Sequence, residues 1–371
     1  MARAAPAQEI EAFPEADRLE GFPHPRETAQ LFGHEAAQDE LRRNFARGHM
    51  HHAWLICGGI GIGKATLAYR LARYVLANPG ERDQGRLAVV PTSVAARQVR
   101  VLSHPGLLVL RRPYDPRSKK IMSVITVDEV RRLKSFLGLT AGDEAWRVVI
   151  VDSADELNPN AANAILKSLE EPPPRTLFVL ISSEPGALLP TVRSRCRRVD
   201  LSPLGSADLH DAAQAALDAA GIEAPEAAQW SRVQSLAEGS VRRALQLVTA
   251  GGLESYEGIS RILAALPRVD WPAAHALADT LAASGSEQRF DAFIDLLLDT
   301  LGRLGRSRAQ AGPASADAAL GTRLITADGL PDWAEMWAAL LRERTETDLL
   351  NLDRKAFLLR ILNRLQQSAA K

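Results

Sequence analysis

The chain has 371 residues, which is enough for two or three domains, and its composition is that of an ordinary globular protein. Its 45 basic and 45 acidic residues give zero formal net charge, which argues against a protein that coats nucleic acid but allows a local basic patch. The two cysteines exclude a disulfide framework and a four-cysteine zinc site, and without a long apolar run or a signal-like N-terminus we expect a cytoplasmic protein with no membrane span.

The N-terminal elements lead up to a glycine-rich turn. Residues 1–21 are rich in Ala, Pro and Glu without periodicity, so we predict a flexible arm. Residues 28–48 are predicted to be largely helical. Residues 51–57 contain the apolar run AWLI and are predicted to form a buried strand, and after the turn a predicted helix covers residues 64–77.

A strand, a glycine turn, a lysine and a helix make the context of a phosphate-binding P-loop. Glycines let backbone N–H groups point at phosphate oxygens, and the helix N-terminus and Lys64 add positive charge. The motif G-x-x-x-x-G-K-[ST] requires a hydroxyl after the lysine to bind Mg²⁺, but Ala65 stands there. Thr66 comes one residue late, and a helix turns by about 100° per residue, so Thr66 should not substitute. We predict a P-loop with damaged nucleotide chemistry; a glycine turn without a ligand is the alternative.

Strands continue to alternate with helices as far as residue 203, which predicts a parallel α/β sheet. Helical spacing marks residues 126–137 and 160–169, and three prolines end the second of these helices. Residues 78–104 are expected to be irregular or to form short helices, and the basic segment 111–120 is expected to be a loop or an exposed hairpin. The further predicted strands cover residues 106–110, 147–152, 177–181 and 198–201.

After residue 203 the pattern is helical throughout. Residues 204–250 are predicted to form a small helical unit, and Gly251 with Gly252 marks a boundary. The region that follows is predicted to be an all-α bundle, in which residues 290–301 carry one apolar face and residues 305–317 form a loop. Such a bundle needs only its own packing, but it could also serve as an oligomer interface.

A P-loop ATPase also needs carboxylates at the end of a second strand. Asp152 closes the run VVIVD and fits the Mg²⁺-binding role; a helix-capping or loop aspartate is the alternative. An active ATPase carries a water-activating Glu at the next position, but here Ser153 follows, and it cannot act as a general base. Asp155 and Glu156 lie on the outgoing turn and are weaker replacements. Two losses in one site favour a protein that hydrolyses little or no ATP itself.

Arginines cluster in residues 189–198, around Ser194, Arg195 and Cys196. An arginine can stabilise the charge that develops on a transferred γ-phosphate, and it can do so from a neighbouring subunit. On composition alone, a solvated basic face or a patch for the DNA backbone is the favoured explanation, because charge runs are usually exposed faces.

Six short segments occur in order along the chain: residues 32–35 (FGHE), 58–66 (GGIGIGKAT), 148–157 (VVIVDSADEL), 160–173 (NAANAILKSLEEPP), 188–196 (LLPTVRSRC) and 239–245 (GSVRRAL). Together they resemble the clamp-loader branch of the AAA+ ATPases. The resemblance covers residues 30–247. It implies a P-loop AAA+ core over residues 22–203, a helical lid over 204–250 and an all-α collar or oligomerisation domain over 251–371.

The resemblance also implies roles for single residues. Arg195 matches the arginine finger of the family's SRC motif, which is offered to the ATP site of an adjacent subunit. Arg242 matches the sensor-2 arginine, and Ser182 and Ser183 fall at the sensor-1 position. The implied nucleotide-binding set is Gly58, Gly61, Gly63, Lys64, Ala65, Thr66, Asp152 and Arg242.

The departures Ala65 and Ser153 agree with the family's stator members, which do not hydrolyse ATP. The resemblance therefore implies a replication stator that binds ATP or ADP with Mg²⁺ weakly or not at all. It also implies no zinc, because residues 78–104 lack the family's cysteines. The implied partners are gamma/tau-type motor subunits, a delta-type clamp-opening subunit, the sliding clamp and primed DNA. An active motor subunit, a DNA-repair or remodelling ATPase, and a scaffold without a catalytic role are the alternatives.

Overall fold

The computed structural model describes residues 14–28, 30–117, 120–138, 145–249, 251–283, 285–310, 316–350 and 352–369. The chain divides into two compact units. The first unit comprises Met1–Ala224 and Glu238–Arg242, and the second comprises Pro225–Ala237 and Arg243–Lys371.

The first unit is an α/β domain built on a central sheet. Within the described residues, this sheet has five parallel strands in the order β2-β5-β6-β1-β7, and β3 and β4 form a small antiparallel pair in the basic segment. The strands are β1 (Ala53–Cys57), β2 (Leu107–Arg111), β3 (Tyr114–Asp115), β4 (Lys120–Ile121), β5 (Arg147–Asp152), β6 (Thr176–Ser182) and β7 (Arg197–Asp200).

Helices cover both faces of the central sheet, which is why β1 and β6 are buried along their whole length. Successive residues of β5 alternate between two cores: Val148 and Ile150 pack in one, Val149 and Val151 in the other. The helices of this unit are α1 (Glu35–Ala46), α2 (Lys64–Leu76), α3 (Val94–Arg100), α4 (Val127–Gly138), α5 (Pro159–Glu170), α6 (Pro190–Arg193) and α7 (Ser206–Ala220). The predicted P-loop α/β fold with a parallel sheet is confirmed.

The N-terminal segment is tied to the sheet by ion pairs. The Arg111 guanidinium lies 2.6 Å from a Glu15 carboxylate oxygen and 2.9 Å from an Asp17 oxygen. His24, which is fully buried, contacts Asp17 at 2.8 Å, and Arg73 donates to the carbonyl oxygens of Arg26 and Thr28. Residues 14–21 of the predicted flexible arm are therefore anchored by charge, whereas residues 1–13 lie outside the described residues.

The second unit is all helical in its described part. Its helices are α8 (Ala227–Ala237), the end of α9 (Val241–Val248), α10 (Gly252–Ala265), α11 (Trp271–Ala282), α12 (Glu287–Gln310), α13 (Ala316–Leu324), α14 (Leu330–Leu350) and α15 (Arg354–Ala369). The predicted change from an α/β sheet to an all-helical C-terminal region is confirmed. Its division into a lid over residues 204–250 and a collar over residues 251–371 stays a prediction. Among the residues that the structure describes, no helix combines the length and apolar character needed to cross a bilayer.

Two glycines of α12 allow α14 to approach closely. A Cβ at Gly302 would lie 2.9 Å from the Trp337 ring, and one at Gly305 would lie 3.2 Å from Trp333. Both indoles donate hydrogen bonds to carbonyl oxygens of α12, Trp333 to Leu301 at 3.1 Å and Trp337 to Leu298 at 2.9 Å. The loop predicted for residues 305–317 is thus wrong for residues 305–310, since Gly305 serves helix packing and α12 runs on to residue 310. It is also wrong for residues 316–317, where α13 begins. Residues 311–315 lie outside the described residues.

We expect Gly302→Ala to lower the melting temperature by a few degrees. The hydrogen bond from Trp337 to Leu298 holds the indole in place, so the new methyl group overpacks the helix contact at a cost of about 1–3 kcal/mol. Thermal unfolding monitored by circular dichroism measures the change. Gly258→Ala on α10 is the control, because a Cβ there meets nothing within 4 Å and should not destabilise the protein. Equal melting temperatures for the two variants would contradict the packing argument.

Candidate functional site

The candidate site lies where three neighbouring strands end. Gly58 follows β1, Asp152 is the last residue of β5, and Ser183 follows β6; β6 pairs with both of the other strands. Ligand sites of parallel α/β sheets form at this carboxyl edge, so the topology itself brings the predicted residues together.

The glycine loop has a conformation that side chains would prevent. Gly58, Gly61 and Gly63 have φ angles of 147°, 78° and 107°. A Cβ at Gly61 would lie 2.4 Å from the Cβ of Arg242 and 2.6 Å from Ser240 Oγ. Glycine at position 61 therefore allows both the turn and the close approach of residues 240–242.

The outward-facing carbonyl groups of the loop are bound by donors from elsewhere in the first unit. Ser240 Oγ donates to the Ile60 oxygen at 2.9 Å, the Val241 N–H donates to the Gly61 oxygen at 2.9 Å, and the Arg242 N–H reaches that same oxygen at 3.4 Å. The sensor-2 candidate Arg242 thus lies beside the loop and contacts it through its backbone.

His34 is a loop contact that was not predicted from the sequence. Its Nε2 atom lies 2.8 Å from the Ile62 carbonyl oxygen, so Nε2 carries the proton and donates. His34 adopts a left-handed backbone conformation (φ 60°) directly before α1. The segment FGHE had signalled the family, but only the fold brings its histidine to the P-loop.

The ammonium group of Lys64 donates its hydrogen bonds to oxygen atoms of the protein itself. This group donates to the carbonyl oxygens of Gly58 at 2.9 Å and Gly59 at 2.6 Å, and to Ser183 Oγ at 2.9 Å. These three acceptors match the three N–H groups of the ammonium. Burial lowers the pKa of Lys64 to about 8, against the opposing effects of Asp152 and Asp155.

Asp152 is the buried carboxylate of the site. Burial, with the nearby charges of Asp17 and Glu156, raises its pKa to about 7, while Lys64 opposes the shift. Its Oδ2 atom has no hydrogen-bond partner among the described residues, and Ser153 Oγ lies 3.4 Å from Oδ1. An unpartnered carboxylate oxygen suits a cation, but Ala65 supplies no second oxygen. Within the described ranges no group of three or more His, Cys, Asp or Glu is placed to hold a metal ion.

Asp155 has a structural role in this arrangement. Its two carboxylate oxygens accept hydrogen bonds from Ser182 Oγ at 2.5 Å and from the backbone N–H groups of Ser183 at 2.6 Å and Glu184 at 3.2 Å. A carboxylate engaged by three donors is poorly suited to take a proton from water. Glu156, the other replacement base considered, faces Arg112 at 2.9 Å.

Arg195 lies at the surface, between α6 and β7. About a third of its side chain is exposed, and its guanidinium contacts Glu170 at 2.6 Å and the Thr191 carbonyl oxygen at 2.8 Å. The neighbouring Arg197 and Arg198 pair with Glu40 and Asp200. Because carboxylates offset these charges, the cluster is a weaker candidate for a DNA-backbone patch than the sequence suggests.

Comparison with known proteins relates this chain to DNA polymerase III. Residues 33–205 match the family model described as DNA polymerase III, delta subunit. The chain is 37% identical over 145 residues to DNA polymerase III subunit delta' of Pseudomonas aeruginosa, a match that covers 39% of this chain and 41% of that protein. It is 35% identical over 165 residues to subunit delta' of Escherichia coli K12, covering 44% of this chain and 46% of that protein. The chain thus spans less than half the length of these relatives.

More distant sequence similarity extends to the tau subunit of DNA polymerase III. The chain is 27% identical over 249 residues to DNA polymerase III subunit tau of Escherichia coli K12, covering 65% of this chain and 36% of that protein. A gamma subunit-related protein of Thermotoga maritima matches with a TM-score of 0.37 and 18% identity, covering 89% of this chain and 99% of that one. The RuvB branch migration motor of the same organism matches with a TM-score of 0.40 and 15% identity, covering 80% and 84%. TM-scores this low decide nothing, whereas the sequence matches confirm the resemblance to delta-prime clamp-loader subunits.

We expect Asp152→Asn to stabilise the protein more at pH 8 than at pH 5. The native pKa of about 7 lies above the value of 3.8 for a free aspartate, so the native state binds the proton more tightly. This contribution is fully present below pH 4 and is lost as the pH rises through 7. Asparagine does not titrate, so the variant does not lose this contribution. Its free energy of unfolding relative to wild type should therefore rise by on the order of a few kcal/mol between the two pH values.

Urea unfolding of both proteins at the two pH values measures that gain. Asp211→Asn, which changes an exposed aspartate on α7, should show no comparable pH dependence and controls for the loss of one negative charge. A difference between Asp152→Asn and wild type that does not change with pH would contradict the assigned pKa.

Proposed function

From the family match over residues 33–205 and the identity to delta-prime subunits, we propose that this protein is a stator subunit of a bacterial DNA polymerase III clamp loader. In this role it helps ATP-dependent loading of the sliding clamp onto primed DNA. The observation that carries the proposal is a contrast between two sites. The chain's own ATPase site lacks two catalytic groups, while the SRC arginine is intact and about a third exposed.

The chain's own P-loop hydrolyses no ATP in this proposal. Ala65 cannot ligate Mg²⁺ and Ser153 cannot activate water. Asp155 already accepts hydrogen bonds from the end of β6 and the residue that follows it. Lys64 already has three acceptors, so a phosphate would have to displace them. We therefore expect ATP or ADP with Mg²⁺ to bind weakly or not at all.

Arg195 acts on a neighbouring ATP site. A guanidinium that lies partly exposed at the surface can enter the site of an adjacent gamma/tau-type motor subunit and stabilise negative charge on the transferred phosphoryl group. The helical collar holds this subunit together with the motor subunits and a delta-type clamp-opening subunit. ATP binding by the assembly opens the sliding clamp, and hydrolysis assisted by Arg195 releases it on DNA. Any direct contact with DNA goes through backbone phosphates and depends on salt.

An active motor subunit is the main alternative, because the loop retains its glycines and Lys64. Thermal unfolding with and without millimolar MgATP tests whether the loop binds nucleotide firmly, as a motor subunit requires. We expect no clear rise in the melting temperature of the isolated chain, since a ligand that does not bind the native state cannot stabilise it. A rise with MgATP that Lys64→Ala abolishes would establish nucleotide binding at this loop.

We expect Arg195→Ala to reduce ATP turnover in the assembled complex. The test reconstitutes the chain with the gamma/tau-type and delta-type subunits of the same organism and measures turnover stimulated by DNA and clamp. An arginine finger contributes about 10³–10⁵-fold to the rate at the site that it serves, so that site should become nearly silent. Gel filtration checks that the complex still assembles.

Two controls accompany this measurement. Arg198→Ala removes a nearby exposed arginine that pairs with Asp200 and should leave turnover unchanged. The isolated wild-type chain should show no turnover. Unchanged turnover with Arg195→Ala would reduce the protein to a scaffold, and strong turnover by the isolated chain would identify it as a motor.

A further inference from the structure

We propose that Glu170 is a positioning residue that holds Arg195 in the orientation required to reach a neighbouring ATP site. This inference rests on the arginine-finger role proposed above. Glu170 is the last residue of α5, and its carboxylate Oε1 lies 2.6 Å from Arg195 Nη2. It is also the first glutamate of the segment LKSLEEPP, to which the sequence analysis assigned no role.

The guanidinium is held at two separate nitrogen atoms. Nη2 contacts the Glu170 carboxylate, and Nη1 donates to the Thr191 carbonyl oxygen at 2.8 Å. Two anchors on a planar fork restrict its rotation as well as its position. Nη1 also lies 3.4 Å from Ser194 Oγ. A guanidinium has five N–H donors, so these three contacts leave two N–H groups for a phosphate.

Both anchors are carried by parts of the chain that pack on one core. Ile165 and Leu169 of α5 are buried in the same apolar cluster as Val192 of α6. Helix α5 is set at its start by Asn158, whose side chain accepts a hydrogen bond from the Ala161 N–H, and by Pro159 in the first turn. The carboxylate therefore projects from a fixed helix end rather than from an independent loop.

The exposure of the pair argues for a role in orientation rather than in folding. The two side chains are 33% and 47% exposed, and ion pairs that water reaches to this extent contribute little to stability. Fixing a free arginine side chain costs rotamer entropy, because the chain has several rotatable bonds. An arginine that is already ordered before assembly does not incur that cost when it meets the phosphate.

The effect of Glu170 on ATP turnover shows whether its carboxylate orients Arg195 for the phosphate or withholds Arg195 from it. If the carboxylate guides Arg195, its removal slows hydrolysis at the neighbouring site. If it competes with the phosphate for the guanidinium, its removal speeds hydrolysis. We expect the first outcome, because the contacts seen here leave guanidinium donors available.

The experiment measures DNA- and clamp-stimulated ATP turnover of the reconstituted complex as a function of ATP concentration. Glu170→Ala should lower kcat several-fold toward the Arg195→Ala value, with little change in KM. Glu170→Gln keeps an acceptor oxygen without the charge and should recover part of the loss. Glu171→Ala, which removes the adjacent exposed carboxylate, is the matched control and should behave as wild type.

The double variant Glu170→Ala/Arg195→Ala tests whether Glu170 acts through Arg195. We expect it to equal Arg195→Ala alone, because the positioning residue has nothing left to position. Additive losses would overturn the proposal, as would unchanged or faster turnover with Glu170→Ala. If Arg195→Ala itself has no effect, the arginine-finger function fails; if only Glu170→Ala has none, that function stands and the positioning role fails.

Discussion

The ammonium of Lys64 connects the ends of neighbouring strands at the carboxyl edge of the sheet. It donates to two carbonyl groups after β1 and to Ser183 after β6, and its charge acts on Asp152 at the end of β5. The P-loop keeps its curled shape with these contacts and with donors from His34 and residues 240–242. Interactions that a bound phosphate would provide are thus partly supplied by the protein.

These hydrogen bonds within the protein agree with the departures from the active ATPase pattern at Ala65 and Ser153. In an active ATPase the lysine, the hydroxyl and the carboxylates are held for a nucleotide and its metal ion. Here Lys64 and Asp155 instead form hydrogen bonds with groups of the protein, and Asp152 is buried with a raised pKa. The same residue types that catalyse in one setting serve as structural contacts in another, because the groups that would make them reactive are missing.

Arg195 has a different setting from Lys64. It lies at the surface, is held by one carboxylate and one carbonyl group, and belongs to the segment that resembles the SRC motif. In the function proposed here, the loop does not hydrolyse ATP and Arg195 takes part in catalysis by completing another subunit's site. The contribution of Arg195 then depends on how well its guanidinium is oriented before assembly, and the proposed role of the ion pair with Glu170 is to set this orientation.

The sequence by itself determined which elements follow one another along the chain. The apolar strands, the glycine loop and the helix after Lys64 follow from local periodicity and turn chemistry. It also exposed the losses at Ala65 and Ser153, since these depend only on residue type and spacing. Contacts between distant segments were decided by tertiary structure alone. His34 on the loop, Asp155 on Ser182, Glu170 on Arg195 and the helical continuation through Gly305 each depend on a partner far along the chain. No local pattern encodes such pairs, because they arise only when packing brings separate elements together.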